Sequence, residues 1–361
     1  MKRVLQIVNK MGYGGIETFL MNMYRNIDKN EIQFDFAVAT KEKGEFNDEI
    51  RQLGGNIYYY TPRRKGLRAY RKSWNSIFKD KEQDYYSAVH MHVSSLTSIV
   101  PLQLAKKYHI KKIYVHAHNT YQAGTLHNIL NKLNQKRIDS IVTEKFACSK
   151  EAGMYVYGKN AKFTVIHNGI DTNKFSFNEE VRQRVRKQLA LDEENIAFVN
   201  VGRFVYQKNH EFLIDIFKEI WKQNKQARLF LIGKGELEDS IKEKVKENHL
   251  EDYVIFMGLR DDIYNLLQAM DAFVLPSHHE GLPVVGIEAQ AAGLKMFVSD
   301  TISKDLQITQ LVKFLSLDLT AKQWADRILQ ADLKKKDMYE EIVEAGYDMK
   351  QISKRMKDYY E

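Results

Sequence analysis

Glu280-Gly281-Leu282-Pro283-Val284-Val285-Gly286-Ile287-Glu288 decides how this chain is read. Two carboxylates bracket seven residues that read as a turn feeding a helix. Pro283 suits the first helical turn, where the N–H it lacks would have had no partner. The free N–H groups and positive dipole end of such a helix make a site for a phosphate. Glu288 falls about one and a half turns into the helix, where its carboxylate can meet a hydroxyl group. Glu280 stands just ahead of the turn. A sugar nucleotide, with a diphosphate flanked by a ribose and a sugar, matches this layout. So does a plainer arrangement: a strand, a loop and a buried helix carrying two solvated glutamates.

Outward from that segment, short apolar strands alternate with amphipathic helices. Residues 196–201, 227–232, 253–257, 272–275 and 295–299 read as strands. Between them, 210–221 places Phe212, Leu213, Ile216, Phe217, Ile220 and Trp221 on one helical face. The first half repeats the pattern, with strands at 4–8, 34–39, 57–60, 87–92 and 113–118 and a helix at 16–27. The alternation pauses at Ile166-His167-Asn168-Gly169-Ile170-Asp171-Thr172-Asn173-Lys174-Phe175, where Asn-Gly marks a turn. Two successive β/α series predict two doubly wound, mostly parallel α/β domains. The expected divisions are 1–170, 171–345 and a C-terminal helical segment, 346–361, crossing back towards the first domain. Ligands of such sheets lie beyond the carboxyl ends of the strands, and a cleft between two such domains is the natural place for a site.

Bulk properties narrow the class. The 361 residues are 44 % hydrophobic and 28 % charged, as in a soluble globular protein. No run of 18 apolar residues exists, and the N-terminus reads as a first strand rather than a signal peptide. Cys148 is the only cysteine, which excludes a disulfide framework and points to the cytosol. The net charge of +8 calls for an anionic partner: a nucleotide, a phospholipid surface or a nucleic acid. Residues 62–72 carry six cations in eleven positions and no acid. With Leu67, Tyr70 and Trp74 close by, this stretch can rest on anionic lipid at the inner face of the plasma membrane, or be a solvated basic loop and helix start.

The remaining candidates sit at predicted strand ends. Gly12-Tyr13-Gly14-Gly15-Ile16-Glu17 follows the first strand, where glycines let a ligand approach the backbone. It is neither G-x-G-x-x-G nor a Walker sequence. Val201-Gly202-Arg203-Phe204-Val205-Tyr206-Gln207-Lys208 places two cations five residues apart in a loop, a spacing able to clamp a diphosphate. Gly233, in Ile232-Gly233-Lys234, and Leu259-Arg260, after Gly258, occupy loops that can meet a base or ribose. His90 with His92, and His116 with His118, share strand faces pairwise. They are candidates for a base, a sugar contact or satisfied structural histidine, and their spacing makes a zinc site the weaker option. No D-x-D, H-E-x-x-H or G-x-S-x-G occurs.

In order along the chain, Gly14-Gly15, His118, His167-Asn168-Gly169-Ile170-Asp171, Gly202-Arg203 with Lys208, and the Glu280/Glu288 pair resemble the retaining glycosyltransferases of family four, which have the GT-B fold. The run Ala289-Gln290-Ala291-Ala292-Gly293 with Val298-Ser299-Asp300-Thr301 is similar to the bacterial branch that builds capsules and exopolysaccharides. The resemblance implies that Arg203 and Lys208 bind the donor diphosphate, Glu288 the ribose, and Glu280 the transferred sugar. The N–H groups of Leu282, Pro283's successors Val284 and Val285, and their turn would hold the distal phosphate. Gly14 and Gly15 would admit donor phosphate and acceptor, and His118 would contact the donor sugar. His116 departs from the family pattern, which has one histidine in this loop. The implied reaction moves a hexosyl or N-acetylhexosaminyl unit from a nucleotide sugar, UDP-linked by this reading, to a saccharide carried on a lipid diphosphate. No cofactor and no metal are expected, and the nucleotide sugar is a co-substrate. Two alternatives remain: a nucleotide-sugar epimerase of the same architecture, and a non-catalytic nucleotide-sugar or nucleic-acid binding protein.

Overall fold

The computed structural model describes residues 1–12, 14–79, 81, 84–118 and 125–361. The chain divides into two compact units, Met1–Gly169 with Asp348–Glu361, and Ile170–Tyr347.

The first unit holds β1 (Lys2–Ile7), β2 (Ile32–Val38), β3 (Ile57–Tyr59), β4 (Ala88–Val93), β5 (Lys112–Ala117), β6 (Glu144–Ala147) and β7 (Thr164–Val165). They form one parallel sheet in the order β3-β2-β1-β4-β5-β6-β7. Both faces are covered, so apolar side chains point both ways from the strands. In β1, Val4 enters one core while Leu5 and Ile7 enter the other. The first of these cores is closed by the Gly15–Asn26 helix, through Phe19, Leu20, Met23 and Tyr24, and by the C-terminal helix Met349–Tyr360, through Met349, Ile352, Met356 and Tyr360.

The second unit holds β8 (Ile196–Val201), β9 (Ala227–Ile232), β10 (Val254–Gly258), β11 (Ala272–Leu275), β12 (Lys295–Ser299) and β13 (Val312–Leu315). Their order is β10-β9-β8-β11-β12-β13, again parallel. Phe198 points to one face, and Ala197, Val199 and Val201 to the other. Each sheet reverses its winding once, between β1 and β4 and between β8 and β11. These switch points open crevices at the carboxyl ends of the strands.

Three strands were not expected from the sequence. β6 begins on charged Glu144-Lys145, β7 is two residues long, and β13 carries an exposed Lys313. The basic stretch forms a short turn at Arg63–Lys65 and the Leu67–Lys79 helix. Its six cations and Leu67 are exposed. Tyr70 and Trp74, expected to help at a lipid surface, are instead buried in the core, because they lie on the inward face of that helix. Among the described residues, no helix is long and apolar enough to cross a membrane.

Candidate functional site

The β8/β11 switch point brings together candidates that are far apart in sequence. The loop after β8 carries Gly202, Arg203 and Lys208, and the loop after β11 carries Glu280. Lys208 Nζ lies 2.8 Å from each carboxylate oxygen of Glu280, with side-chain exposures of 15 % and 8 %. Ser277 Oγ donates to the same carboxylate at 2.6 Å. The stem of Lys208 runs across Gly202, where a Cβ would stand 3.0 Å from Lys208 Cε. Arg203 departs from the expected clamp. It is 72 % exposed and pairs with Glu236 at 3.4 Å.

After Glu280 the chain turns into the Val284–Ala291 helix, with Pro283 as its N-cap residue and, among the described residues, no side-chain cap on its first N–H groups. Leu282, Val284 and Val285 are partly buried against the second unit's cores. Glu288 is on this helix, and burial raises its carboxyl to about 7 against the pull of Lys174. The two glutamates are therefore not the solvated pair of the plainer reading: Glu280 is held by Lys208 and Ser277, and Glu288 is desolvated. Lys174 itself stands over the Tyr264 ring, 3.9 Å from its centroid.

Gly233 follows β9 with φ +143°, and a Cβ there would fall 2.0 Å from the carbonyl oxygen of Gly202. Glycine is required at this position because the two loops touch backbone to backbone. Leu259 is 64 % exposed beyond β10, and Arg260 forms a two-point pair with Asp262 at 2.7 and 2.8 Å.

In the first unit, Gly14 precedes the Gly15–Asn26 helix, and among the described residues no atom lies within 4 Å of where a Cβ on Gly15 would be. Tyr13 of the same stretch lies outside the described residues. The four histidines stack on one face of β4 and β5, where His92 is in register with His116. All four are buried, and the rings of His92, His116 and His118 meet the Phe19 ring. A hydrogen-bonded line crosses the sheet. His118 Nε2 meets His92 Nδ1 at 2.9 Å, and His92 Nε2 meets Gln6 Oε1 at 2.9 Å. Gln6 Nε2 donates to the Tyr360 hydroxyl at 3.2 Å, which lies 2.6 Å from His90 Nδ1. Burial, reinforced by the neighbouring histidines, holds His90, His92 and His116 well below the usual imidazole range. Burial pushes His118 down to about 3, against a hydrogen bond with Asn168. Burial thus favours the neutral ring in all four, so His118 is not placed to supply a cation. His90, His92 and His116 also place ligand nitrogens within 4.8 Å of one another, the closest approach to a metal set among the described residues. The hydrogen bonds to Tyr360, Gln6 and His118 engage Nδ1 of His90 and both ring nitrogens of His92, and leave His116 outside that line.

Sequence reasoning did not find Ser277, Lys174, Gln6 or Tyr360. Lys174 lay inside the Asn-Gly turn stretch. The others carry no motif and are assembled only by strand register and loop packing.

Known families match both halves of this architecture. The profile of "Glycosyl transferases group 1" matches residues 181–349, and that of "Glycosyltransferase Family 4" matches residues 13–174. The chain is 31 % identical over 366 aligned positions to EpsF of Bacillus subtilis (strain 168), assigned as a glycosyltransferase, covering 97 % of this chain and 94 % of the relative. It is 29 % identical over 284 positions to the UDP-Gal:alpha-D-GlcNAc-diphosphoundecaprenol alpha-1,3-galactosyltransferase of Escherichia coli, covering 74 % and 72 %. The crystal structure of Anabaena Alr3699/HepE in complex with UDP and glucose superimposes with a TM-score of 0.77 at 15 % identity, covering 99 % of each chain. Two doubly wound parallel sheets with this coverage establish the fold as GT-B, and the chain belongs to the family 4 glycosyltransferases.

Proposed function

We propose that this chain is a retaining glycosyltransferase that works without a divalent ion. It moves a hexosyl or N-acetylhexosaminyl unit from a UDP sugar to a saccharide on a lipid diphosphate, in the building of a capsule or exopolysaccharide. The observation that carries this reading is the Lys208–Glu280 pair at the β8/β11 switch point, directly before the uncapped start of the Val284–Ala291 helix. A diphosphate arriving there competes with Glu280 for the ammonium of Lys208. The carboxylate it releases is then free to accept hydrogen bonds from hydroxyls of the transferred sugar. Arg203, on the same loop, adds a second cation, and the N–H groups near Leu282, Val284 and Val285 receive the distal phosphate. Glu288 takes the ribose. Gly202 and Gly233 keep the loops low, and Leu259 and Arg260 border the base. In the first unit, Gly14 and Gly15 admit phosphate and acceptor, and His118 meets the sugar. The first unit takes the acceptor and the second the donor.

In the chemical step the C1–O bond to the diphosphate breaks as negative charge grows on the leaving oxygens. Fixed cations and N–H groups aimed at that charge stabilise it without reorganising, each worth about 3–4 kcal/mol. The acceptor oxygen bonds to C1 on the same face, and its proton passes to the leaving phosphate. The absence of any D-x-D in the sequence supports phosphate binding by protein cations rather than by a bridging metal ion. The named relative's lipid-diphosphate acceptor supports the same acceptor class here.

The test is a screen of purified protein against UDP, GDP and ADP sugars, followed by product NMR. Tightest binding of a UDP sugar, a retained anomeric centre and activity in excess EDTA are expected. An inverted centre, or loss in EDTA restored by Mg²⁺, refutes the mechanism.

A further inference from the structure

The amino ends of β12 and β13 collect positive charge around a cavity in the second unit. Lys295 opens β12, and Lys313 is the second residue of β13. The stretch 332–338, neither helix nor strand, brings Lys334 and Lys336 to the same place. These four lysines and one carboxylate, Asp332, line a cavity of about 260 Å³. Four ammonium groups against one carboxylate leave three positive charges. The other lining residues are neutral, and none is aromatic. Among the described residues, no carboxylate forms an ion pair with any of the four lysines.

The backbone that carries these charges is fixed. Lys335, between two of them, reaches back into the unit, where its Nζ donates to Leu267 O at 2.7 Å and to Ala292 O at 3.0 Å. Its neighbours Lys334 and Lys336 are exposed. The backbone of Lys336 lies against Gly293, where φ is +74° and a Cβ would stand 2.4 Å from Lys336 O. Only glycine accommodates so close an approach. The Asp332 carboxylate accepts from the Lys334 N–H at 3.0 Å, so the acid of the lining is already engaged in a turn. Lys295 Nζ donates to Gln310 O at 3.3 Å. Burial, and then Lys336 and Lys313, lower the pKa of the Lys295 ammonium against the pull of Asp332. Like charges are thus held near enough to oppose one another, a cost that a bound anion removes.

The cavity is separate from the donor candidates, which follow the carboxyl ends of β8 and β11. β12 runs parallel to β11, and its carboxyl end, Ser299, donates to Ser277 O at 2.5 Å. Lys295 stands at the other end, about 13 Å along the strand. The volume falls below the roughly 300–1,000 Å³ of sites that enclose a drug-sized molecule. The lining has no ring on which a base could stack. Size and charge fit a compact polyanion rather than a whole nucleotide sugar.

We infer that this cavity binds a small polyphosphate anion, of which inorganic diphosphate is the simplest. Ammonium groups act as point charges with several donors, so they meet phosphate oxygens without imposing a fixed plane.

The experiment is a calorimetric titration of inorganic diphosphate into UDP-saturated protein at low salt, where UDP fills the donor candidates. Diphosphate binds, and orthophosphate binds about tenfold more weakly because it carries less charge. Lys313→Gln with Lys336→Gln weakens diphosphate binding about tenfold. UDP affinity and the thermal unfolding midpoint stay unchanged in that variant, since both side chains are exposed. Lys242→Gln with Lys322→Gln removes the same charge from lysines already paired with Glu238 and Asp326, and leaves diphosphate binding unchanged. Absence of diphosphate binding, equal affinity for orthophosphate, or equal weakening by the two double variants overturns the inference. Diphosphate that binds only without UDP also overturns it and belongs to the donor site. Failure of the wild type to bind UDP strikes the donor-site reading alone, because the two double variants still report on this cavity without UDP.

Discussion

Glu288 is where folding and binding make opposite demands on one carboxyl group. Its folded pKa, raised to about 7 by burial, lies above the ordinary 4.5. The folded state therefore holds the proton more tightly, and this stabilisation is complete below about 4.5 and lost as pH rises through about 7. Glu288→Gln has no proton to lose. Its urea-unfolding free energy should match the wild type near pH 5 and exceed it by about 1–3 kcal/mol at pH 8, a range discounted for partial exposure. A constant difference across that window would contradict the burial. At pH 8 the same variant should bind UDP more weakly, because the ionised carboxylate accepts the ribose hydroxyls. Lys208 and Arg203 separate in a similar way. Lys208→Ala leaves the Glu280 carboxylate, 8 % exposed, with Ser277 alone, and should cost about 2 kcal/mol of stability. Arg203→Ala removes an exposed 3.4 Å pair and should cost below about 0.5 kcal/mol. Both should lower transfer by more than about a hundredfold in initial-rate assays. Equal destabilisation by the two changes would mean that the pairing described here is wrong. The loop residues themselves were readable from glycines, cations and carboxylates at strand ends. That Lys208 reaches Glu280 while Arg203 turns to Glu236 was not, because these contacts span 72 and 33 residues and depend on how two loops lie together.

At the level of elements, strands buried on both faces were the most legible. The sequence reading and the structure agree on β8, β9, β11 and β12, where runs such as Ala272–Leu275 are apolar throughout. β6 and β7 escaped because Glu144-Lys145 is charged and two residues carry no periodicity. The histidine array was legible only as two H-x-H pairs. The parallel register that puts His92 beside His116 is set by the whole sheet. The C-terminal helix shows what an amphipathic pattern leaves unsaid. Met349–Tyr360 supplies Met349, Ile352, Met356 and Tyr360 to a core otherwise built from the first half of the chain. Deleting residues 348–361 should unfold the first unit while the second keeps protected amides in hydrogen exchange. Tyr360→Phe keeps the ring but leaves Gln6 Nε2 and His90 Nδ1 short of a partner, and should cost about 1–2 kcal/mol in urea unfolding. A truncated chain with both units protected would show that the helix is dispensable.

For the whole molecule the decisive quantity is where the net charge of +8 lies. Much of it is concentrated on one surface, because Arg63, Arg64, Lys65, Arg68, Arg71 and Lys72 are all exposed around the start of the Leu67–Lys79 helix. The aromatic residues of that helix face inward, so any attraction to a lipid surface must be chiefly electrostatic, with Leu67 the exposed large apolar side chain of that helix among the described residues. Electrostatic attachment has a recognisable signature. Each cation near an anionic surface contributes about 1 kcal/mol. The interaction fades beyond a Debye length, about 10 Å at 0.1 M salt, and is largely screened at 1 M. The protein should sediment with phosphatidylglycerol vesicles at low salt, remain in solution with phosphatidylcholine vesicles, and be released by high salt. Replacing Arg64, Arg68 and Lys72 by Gln should weaken the binding at least tenfold, since three contributions of that size are removed. The same variants should leave UDP binding and unfolding unchanged, because the three side chains are exposed and none of them belongs to the candidate site. Salt-insensitive binding, or equal binding to the zwitterionic vesicles, would require apolar insertion. The inward-facing Tyr70 and Trp74 cannot provide it without unfolding the core they occupy.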